Sequence, residues 1–299
     1  MARFIDPRVD WAFKRIFGSE DTKECLITFL NGLFEDELVI KDVTFAKTEK
    51  LGLRPDDRGV VFDVYCVTNE GKHVIVEMQK KEQEYFADRA LYYTARAIVQ
   101  QGVRGIWDYH LAPVYTVCFM DFVSSSPILK EFRTDLVLTD LQTRQRVSDR
   151  MRIVYLQLPL FDKHTEAECM DIFDCWIYIV KNMNMFEQMP FSEKYPVFRK
   201  LAEIGDLRKL SREELELYDE DIKNMRDIYA TRKFDEKRGM EKGMEIGMAK
   251  GMEKGIAKGI EKEKLATAHR LLSMGLSDEQ VSTVTELPLA EIQKLKKQA

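Results

Sequence analysis

Cysteine and histidine are scarce in this sequence, and neither residue type is spaced as a metal site. The five cysteines include no C-x-x-C pair, and the four histidines lie far apart along the chain. This spacing excludes a zinc ribbon and a histidine-rich metal centre. Scattered cysteines are typical of a reducing compartment, so we expect buried thiols and a cytoplasmic protein.

Long apolar runs are also missing. No stretch approaches the roughly 20 apolar residues that a membrane span requires. The first residues include Arg3, Asp6 and Arg8, where a signal peptide needs an apolar run. The phosphate-binding pattern G-x-x-x-x-G-K-S/T does not occur either. We therefore expect no membrane association and no nucleotide cofactor.

Charge is abundant but balanced. Charged residues make up 32% of the 299 residues, and the net charge is −5. The chain is not a polycation, so any affinity for nucleic acid must come from a local basic patch or from a metal ion. The hydrophobic fraction of 45% is enough for one sizeable core with appended segments.

The segment Val60–Lys81 has the pattern of a β-hairpin, because two runs rich in β-branched and aromatic residues flank a polar turn at 68–72. Folding this segment about its turn places Asp63 opposite Glu77 on one face, with Gln79 diagonal to Asp63. Side chains alternate along a strand, so Phe62 is expected on the other face.

Two carboxylates directly opposed on a hairpin repel each other. Placed among apolar residues, such a pair indicates a cation between them, and Mg²⁺ or Mn²⁺ prefers oxygen ligands of this kind. The alternative is a solvated strand face on which two acids meet by chance. A slip of one residue in register would move the acids to opposite faces, so the metal hypothesis depends on the register.

Two stretches carry a resemblance to a known family. One is Asp63 followed by the hairpin and Glu77-Met78-Gln79; the other is the segment 6–18, DPRVDWAFKRIFG. Together they resemble the PD-(D/E)XK nuclease family transposases, also described as Rpn-type recombination-promoting nucleases. The resemblance is strong over the first half of the chain and looser over the helical tail.

The resemblance implies a PD-(D/E)XK nuclease-like fold and a Mg²⁺-dependent endonuclease that hydrolyses phosphodiester bonds of DNA in recombination. It implies Mg²⁺, or Mn²⁺, on Asp63 and Glu77, and we expect the Met78 carbonyl to be a further ligand. Gln79 stands where the superfamily usually has lysine, and it is expected to orient the attacking water.

Three further residues are candidates for the same site. Lys81, or Lys80 beside it, is expected to supply the charge that Gln79 lacks, and the sequence leaves both choices open. Asp10 is a candidate auxiliary acid, since the superfamily often places an acid on its first helix. The alternative for Asp10 is an ordinary position on a helix surface.

A helix is predicted over 84–101, directly after the hairpin. Arg89, Tyr92 and Arg96 follow at i, i+3 and i+7, so we expect them on one face. Arginine and tyrosine suit contacts with phosphate, and this face is a candidate DNA-binding surface. The alternative is a solvated face with aromatic packing.

The order of predicted elements indicates an α/β fold, a mixed sheet flanked by helices, with an all-α C-terminal tail. Predicted helices lie at 10–17, 23–34 and 165–181, and predicted strands at 39–47, 112–123, 136–140 and 151–158. A turn-rich loop that contains Asp56 and Asp57 is predicted at 51–59. We expect four parts: a nuclease-like domain at 1–164, a helical extension at 165–236, a repeat helix or linker at 237–264, and a small helix-turn-helix-like unit at 265–299.

The segment 239–260 repeats a four-residue unit, GMEK or a close variant. Each glycine costs a helix about 1 kcal/mol relative to alanine, but a glycine row lets two helices approach closely. We expect a helix that pairs with the same segment of a second chain, giving a homo-oligomer through 239–264. The alternative is a flexible charged linker.

Two other functions stay open from the sequence. One is a catalytically weak module with a nuclease fold that binds DNA or a protein and self-associates through the repeat. The other is a scaffold in which the repeat itself is the function. The C-terminal unit offers Lys294, Lys296 and Lys297 for contact with DNA, or it is a small oligomerisation cap.

Overall fold

The computed structural model describes residues 3–50, 59–103 and 105–298. The chain forms two compact units, Met1–Met225 and Arg226–Ala299. The predicted loop at 51–59, with Asp56 and Asp57, lies outside the described residues except for Gly59.

Six of the described strands form a mixed sheet, and two others form a small separate sheet. The strands are β1 (Val43–Phe45), β2 (Glu49–Lys50), β3 (Val60–Val61), β4 (Val64–Thr68), β5 (His73–Gln79), β6 (Val114–Met120), β7 (Arg133–Thr139) and β8 (Arg146–Gln157). The large sheet has the order β1-β4-β5-β6-β8-β7, in which β5, β6 and β8 run parallel and the remaining pairs are antiparallel. The predicted mixed sheet is confirmed.

Helices cover both faces of this sheet and continue into the C-terminal unit. The described helices are α1 (Asp10–Phe17), α2 (Lys23–Phe34), α3 (Phe86–Val99), α4 (Ile172–Asn182), α5 (Pro196–Ile204), α6 (Arg212–Ser273), α7 (Asp278–Thr285) and α8 (Leu289–Gln298). The predictions for α1 and α2 are confirmed at both ends. The helix predicted at 165–181 begins later, because Thr165 caps a short 3-10 turn and Asp171 caps α4.

The predicted hairpin register is confirmed. Tyr65 lies opposite Ile75 in β4 and β5, and Gly71 adopts φ +78° in the turn, a conformation that glycine takes without strain. The face predicted for Phe62 is wrong. Its N–H donates to the Thr48 carbonyl at 3.0 Å in a break between β3 and β4, and the alternation restarts there. Phe62 therefore packs with Tyr65.

The larger part of the core lies between one sheet face and helices α1, α2, α4 and α5. Phe119 of β6 meets Phe13, Phe17 and Phe29 there, with ring centroids 5.0 to 6.2 Å apart. Helix α3 covers the other face through smaller apolar clusters. Each large buried side chain contributes about 1.5–3 kcal/mol, so these layers fix the strands that carry the site. All five cysteines are buried, as predicted.

The first turns of α6 hold the N-terminus of α1. The Tyr218 hydroxyl accepts the Asp6 N–H at 2.9 Å, and Asp221 Oδ2 accepts the Trp11 N–H at 2.8 Å. Trp11 is the second residue of α1, so its N–H has no partner within that helix. The carboxylate from α6 therefore replaces the side-chain cap that α1 lacks.

The repeat lies within α6, which is one continuous helix from Arg212 to Ser273. Residues 239–260 are all exposed. The C-terminal unit has its own small core, in which Ala268 of α6 packs with Val281, Leu287 and Ile292. Helix α7 begins with a capping box, in which the Gln280 N–H donates to Ser277 Oγ and the Ser277 N–H donates to Gln280 Oε1. Among the residues that the structure describes, no helix combines the length and the apolar character that crossing a membrane requires.

We expect Asp221→Ala to destabilise the protein by about 1 kcal/mol, because the substitution removes the partner of an N-terminal amide of α1. Urea unfolding measures the difference. Asp219→Ala, an exposed aspartate two residues away on α6, is the matched control and should leave the midpoint unchanged. Equal stability of the two variants would contradict the proposed role of Asp221.

Candidate active site

Asp63 and Glu77 stand together at the start of the hairpin. The ladder pairs Val64 with Val76, so the next position brings Asp63 opposite Glu77. The Asp63 N–H donates to Glu77 Oε1 at 3.2 Å, and the Met78 N–H donates to Asp63 Oδ2 at 2.8 Å. Each carboxylate is thus held by a backbone amide of the opposing segment, and the two acids are close, as predicted.

Burial makes this pair electrostatically unusual. Glu77 is only 3% exposed, and burial, followed by the charge of Asp63, raises its pKa to about 8. Burial also raises the pKa of Asp63, and the charge of Asp10 adds to this effect. The charges of Arg89 and Lys14 act in the opposite direction on both carboxyls. The pair therefore favours binding of either a proton or an additional cation.

Gln79 and Arg89 both contact the Glu77 carboxylate. Gln79 Nε2 donates to Glu77 Oε2 at 3.3 Å, and Gln79 is itself buried. The Arg89 guanidinium lies 3.7 Å from the same oxygen and donates to Gln83 Oε1 at 3.0 Å. Gln79 therefore orients Glu77 in this structure, and Arg89 from α3 supplies positive charge at the site.

The three residues predicted to form one face of α3 lie in different surroundings. Arg89 reaches the carboxylate pair, and Tyr92 is 42% exposed, but Arg96 is only 6% exposed. Helix α3 packs on the sheet through Ala90 and Ala97, which turns position 96 toward the interior. The structure brings Arg89 to the site and does not bring Arg96 to the surface.

Among the described residues, neither Asp10 nor Lys81 forms a hydrogen bond or an ion pair with Asp63 or Glu77. Asp10 Oδ2 accepts a hydrogen bond from Lys14 Nζ at 2.8 Å. Within 3–50, 59–103 and 105–298, no three His, Cys, Asp or Glu side chains converge as a metal-binding group. Strand β5 ends at Gln79, and Lys81 follows beyond it as an exposed residue. Lys14 is the charged neighbour that the sequence argument missed; its spacing of four from Asp10 was the available signal.

The oxygen donors present fit a hard divalent cation. Two carboxylates and a backbone carbonyl are the ligand types that Mg²⁺ and Mn²⁺ take in proteins, with water completing the coordination. Burial raises the pKa of both carboxyls, and the positive charges of Arg89 and Lys14 offset this effect only in part. Asp63 and Glu77 are thus the residues that could hold such an ion.

The mixed sheet, the flanking helices and the acids on neighbouring segments define a PD-(D/E)XK nuclease-like α/β fold. The family model described as PD-(D/E)XK nuclease family transposase matches residues 7–233, which is most of the chain. The chain belongs to this family. The match continues into α6 and stops before the repeat. Comparisons with curated proteins and with solved structures gave no match.

Without metal, we expect Glu77→Gln to be more stable than the native protein at about pH 9, with a smaller difference at about pH 5. The folded state raises the pKa of Glu77 from 4.5 to about 8. The native protein therefore loses stability as the pH rises from about 4.5 through about 8, because the buried Glu77 carboxyl must then ionise. The glutamine variant has no such group and does not lose this stability.

The pH-dependent part should be on the order of a few kcal/mol. Urea unfolding in a metal chelator at both pH values measures it, because any constant effect of the new amide cancels between them. Asp149→Ala, which removes an exposed carboxylate, is the control. A stability difference that does not change with pH would show that Glu77 ionises without penalty.

Proposed function

We propose that the protein is a Mg²⁺-dependent or Mn²⁺-dependent DNA endonuclease that promotes recombination. The observation that supports this proposal most directly is the buried pair of Asp63 and Glu77, each fixed by a backbone amide. Membership of a family of nuclease-fold transposases supports the same reaction class.

Asp63 and Glu77 would hold the ion, with the Met78 carbonyl as the proposed third ligand. When bound, the ion polarises the scissile phosphate and lowers the pKa of a bound water. The Met78 and Asp63 amides keep the two carboxylates in place. Gln79 fixes the orientation of Glu77, and it remains our candidate for positioning the attacking water.

DNA contacts are proposed for the part of α3 that faces outward. Arg89 and Tyr92 are the accessible candidates, because guanidinium groups bind phosphate well and tyrosine adds a hydrogen bond. Arg96 would need to leave its buried position to join them. Lys81 is exposed after β5 and is a further candidate for holding the phosphate backbone.

Self-association through 239–264 is the second part of the proposal. Methionine and isoleucine side chains of the repeat are 55 to 71% exposed. A Cβ at any of the repeat glycines from 239 to 259 would meet no atom within 4 Å. An apolar row beside an open glycine row suits close packing against a second copy of α6.

Two further expectations stay predictions. They are the cytoplasmic location and the division of the chain into parts at 1–164, 165–236, 237–264 and 265–299.

We expect the native protein to nick supercoiled plasmid with Mg²⁺ or Mn²⁺. Asp63→Ala and Glu77→Ala should each lower the cleavage rate by more than about 100-fold. Loss of a residue that only hydrogen-bonds a metal ligand costs roughly 10–100-fold, and loss of the ligand itself should cost more. Agarose electrophoresis of time courses measures the rate. Asp149→Ala removes an exposed carboxylate of β8 and should cleave at the native rate.

Cleavage that persists in both alanine variants would remove Asp63 and Glu77 from the mechanism. DNA binding without cleavage in any divalent metal would instead favour the non-catalytic binding module. Deleting 239–264 tests the scaffold function, which predicts lost activity with intact Mn²⁺ binding.

We expect the full chain to sediment as an oligomer. Replacing Met240, Met244, Met248 and Met252 by glutamine should reduce it to the monomer, because the apolar row is lost. Met170→Gln with Met185→Gln is the matched control, since both methionines are equally exposed outside the repeat. Melting of the isolated repeat peptide that is independent of concentration would argue for a monomeric linker.

A further inference from the structure

The Arg89 guanidinium contacts the buried acid of the site without being fixed by it. Its Nη2 lies 3.7 Å from Glu77 Oε2, close enough for an ion pair but beyond the length of a normal hydrogen bond. The Arg89 side chain is 35% exposed, whereas that of Glu77 is 3% exposed. Arg89 therefore neutralises Glu77 in part and still has access to solvent.

Two other contacts keep the guanidinium beside the site. Arg89 Nη1 donates to Gln83 Oε1 at 3.0 Å, and the guanidinium carbon lies 5.1 Å from the centre of the Tyr93 ring. The Tyr93 ring packs in turn against Phe62, with centroids 5.5 Å apart. An arginine has five N–H donors, so a hydrogen bond to the Gln83 amide leaves donors for another acidic group.

A divalent cation held by Asp63 and Glu77 would change the interaction between Arg89 and Glu77. The ion and the guanidinium are both positive and are attracted to the same carboxylate. Like charges a few ångströms apart repel each other, and the repulsion is stronger where water is excluded. The ion has twice the charge and binds the oxygens as a ligand, so it displaces a guanidinium that is held only at 3.7 Å.

We propose that Arg89 is a placeholder cation, which pairs with Glu77 before a divalent ion binds and moves to a phosphate of DNA when the ion is present. Guanidinium groups bind phosphate oxygens through paired hydrogen bonds. Gln83 and Tyr93 hold the side chain beside the site during this exchange. Metal binding and DNA binding are thereby coupled through one side chain, and the metal binds first.

This inference rests on the proposed nuclease function, and its first test measures metal binding without DNA. Arg89→Gln should bind Mn²⁺ about tenfold more tightly than the native protein, because the ion no longer displaces a guanidinium from Glu77. Titration followed by the electron paramagnetic resonance of free Mn²⁺ measures the affinity. Arg89→Lys keeps a positive charge, and its affinity should lie closer to the native value.

The second test separates an exchange from simple repulsion between Arg89 and the ion. A labelled DNA duplex is mixed with protein in Mn²⁺ or in a chelator, and stopped-flow anisotropy is read before cleavage proceeds. Mn²⁺ should raise the DNA affinity of the native protein about tenfold more than that of Arg89→Gln, since coupling between two ligands is reciprocal. An equal gain in both proteins would show that Arg89 does not move to the DNA.

Arg212→Gln is the matched control. Arg212 is also a helix arginine beside a glutamate, with its Nε 3.1 Å from Glu216 Oε1, and its substitution should leave both affinities at the native values. Mn²⁺ binding by Arg89→Gln that is equal to or weaker than native binding would overturn the role of Arg89, as would equal effects in Arg212→Gln.

The proposed nuclease function fails in a different way. A native protein that binds Mn²⁺ through Asp63 and binds DNA, but never cleaves it, would overturn the nuclease function alone. Mn²⁺ binding that Asp63→Ala leaves unchanged would overturn the proposed metal site, and the role of Arg89 with it.

Discussion

The reciprocal hydrogen bonds between Asp63 and the β5 segment are the constraint on which the rest of the site depends. A backbone amide of each segment holds the carboxylate of the other, so separating the two acids breaks at least one of these hydrogen bonds. Buried like charges oppose folding. The surrounding sheet and helices must therefore supply enough packing energy to keep the pair together.

Sequence reasoning succeeded where the pattern was local. The hairpin register follows from two β-rich runs about a short turn, and α1 and α2 follow from helical spacing of apolar residues. It failed where tertiary packing decides. Phe62 changes face because a break between β3 and β4 interrupts the alternation, and Arg96 is buried by the way α3 lies on the sheet. The pattern of residues within either segment does not reveal the break between β3 and β4 or the orientation of α3 on the sheet.

Helix α1 connects distant parts of the chain to the site. Its buried Phe13 and Phe17 pack on Phe119 of β6, the strand beside β5. Its N-terminus is held by Tyr218 and Asp221 of α6. The geometry of the site therefore depends on a segment about 200 residues further along the chain. This dependence gives a physical reason for the family match to continue through the helical segment to residue 233.

The uniform unit of the repeat gives α6 a modular length. Each four-residue copy adds about 6 Å of rise and about 40° of rotation. Duplication or loss of whole copies keeps every i to i−4 hydrogen bond in place and leaves the residues before Gly239 unchanged. Each copy is therefore displaced around the helix axis relative to the one before it, and about nine copies bring this displacement to one full turn. Homologous chains that differ only in copy number would thus differ in the length and the angular phase of this helix, while the residues before the repeat stay the same.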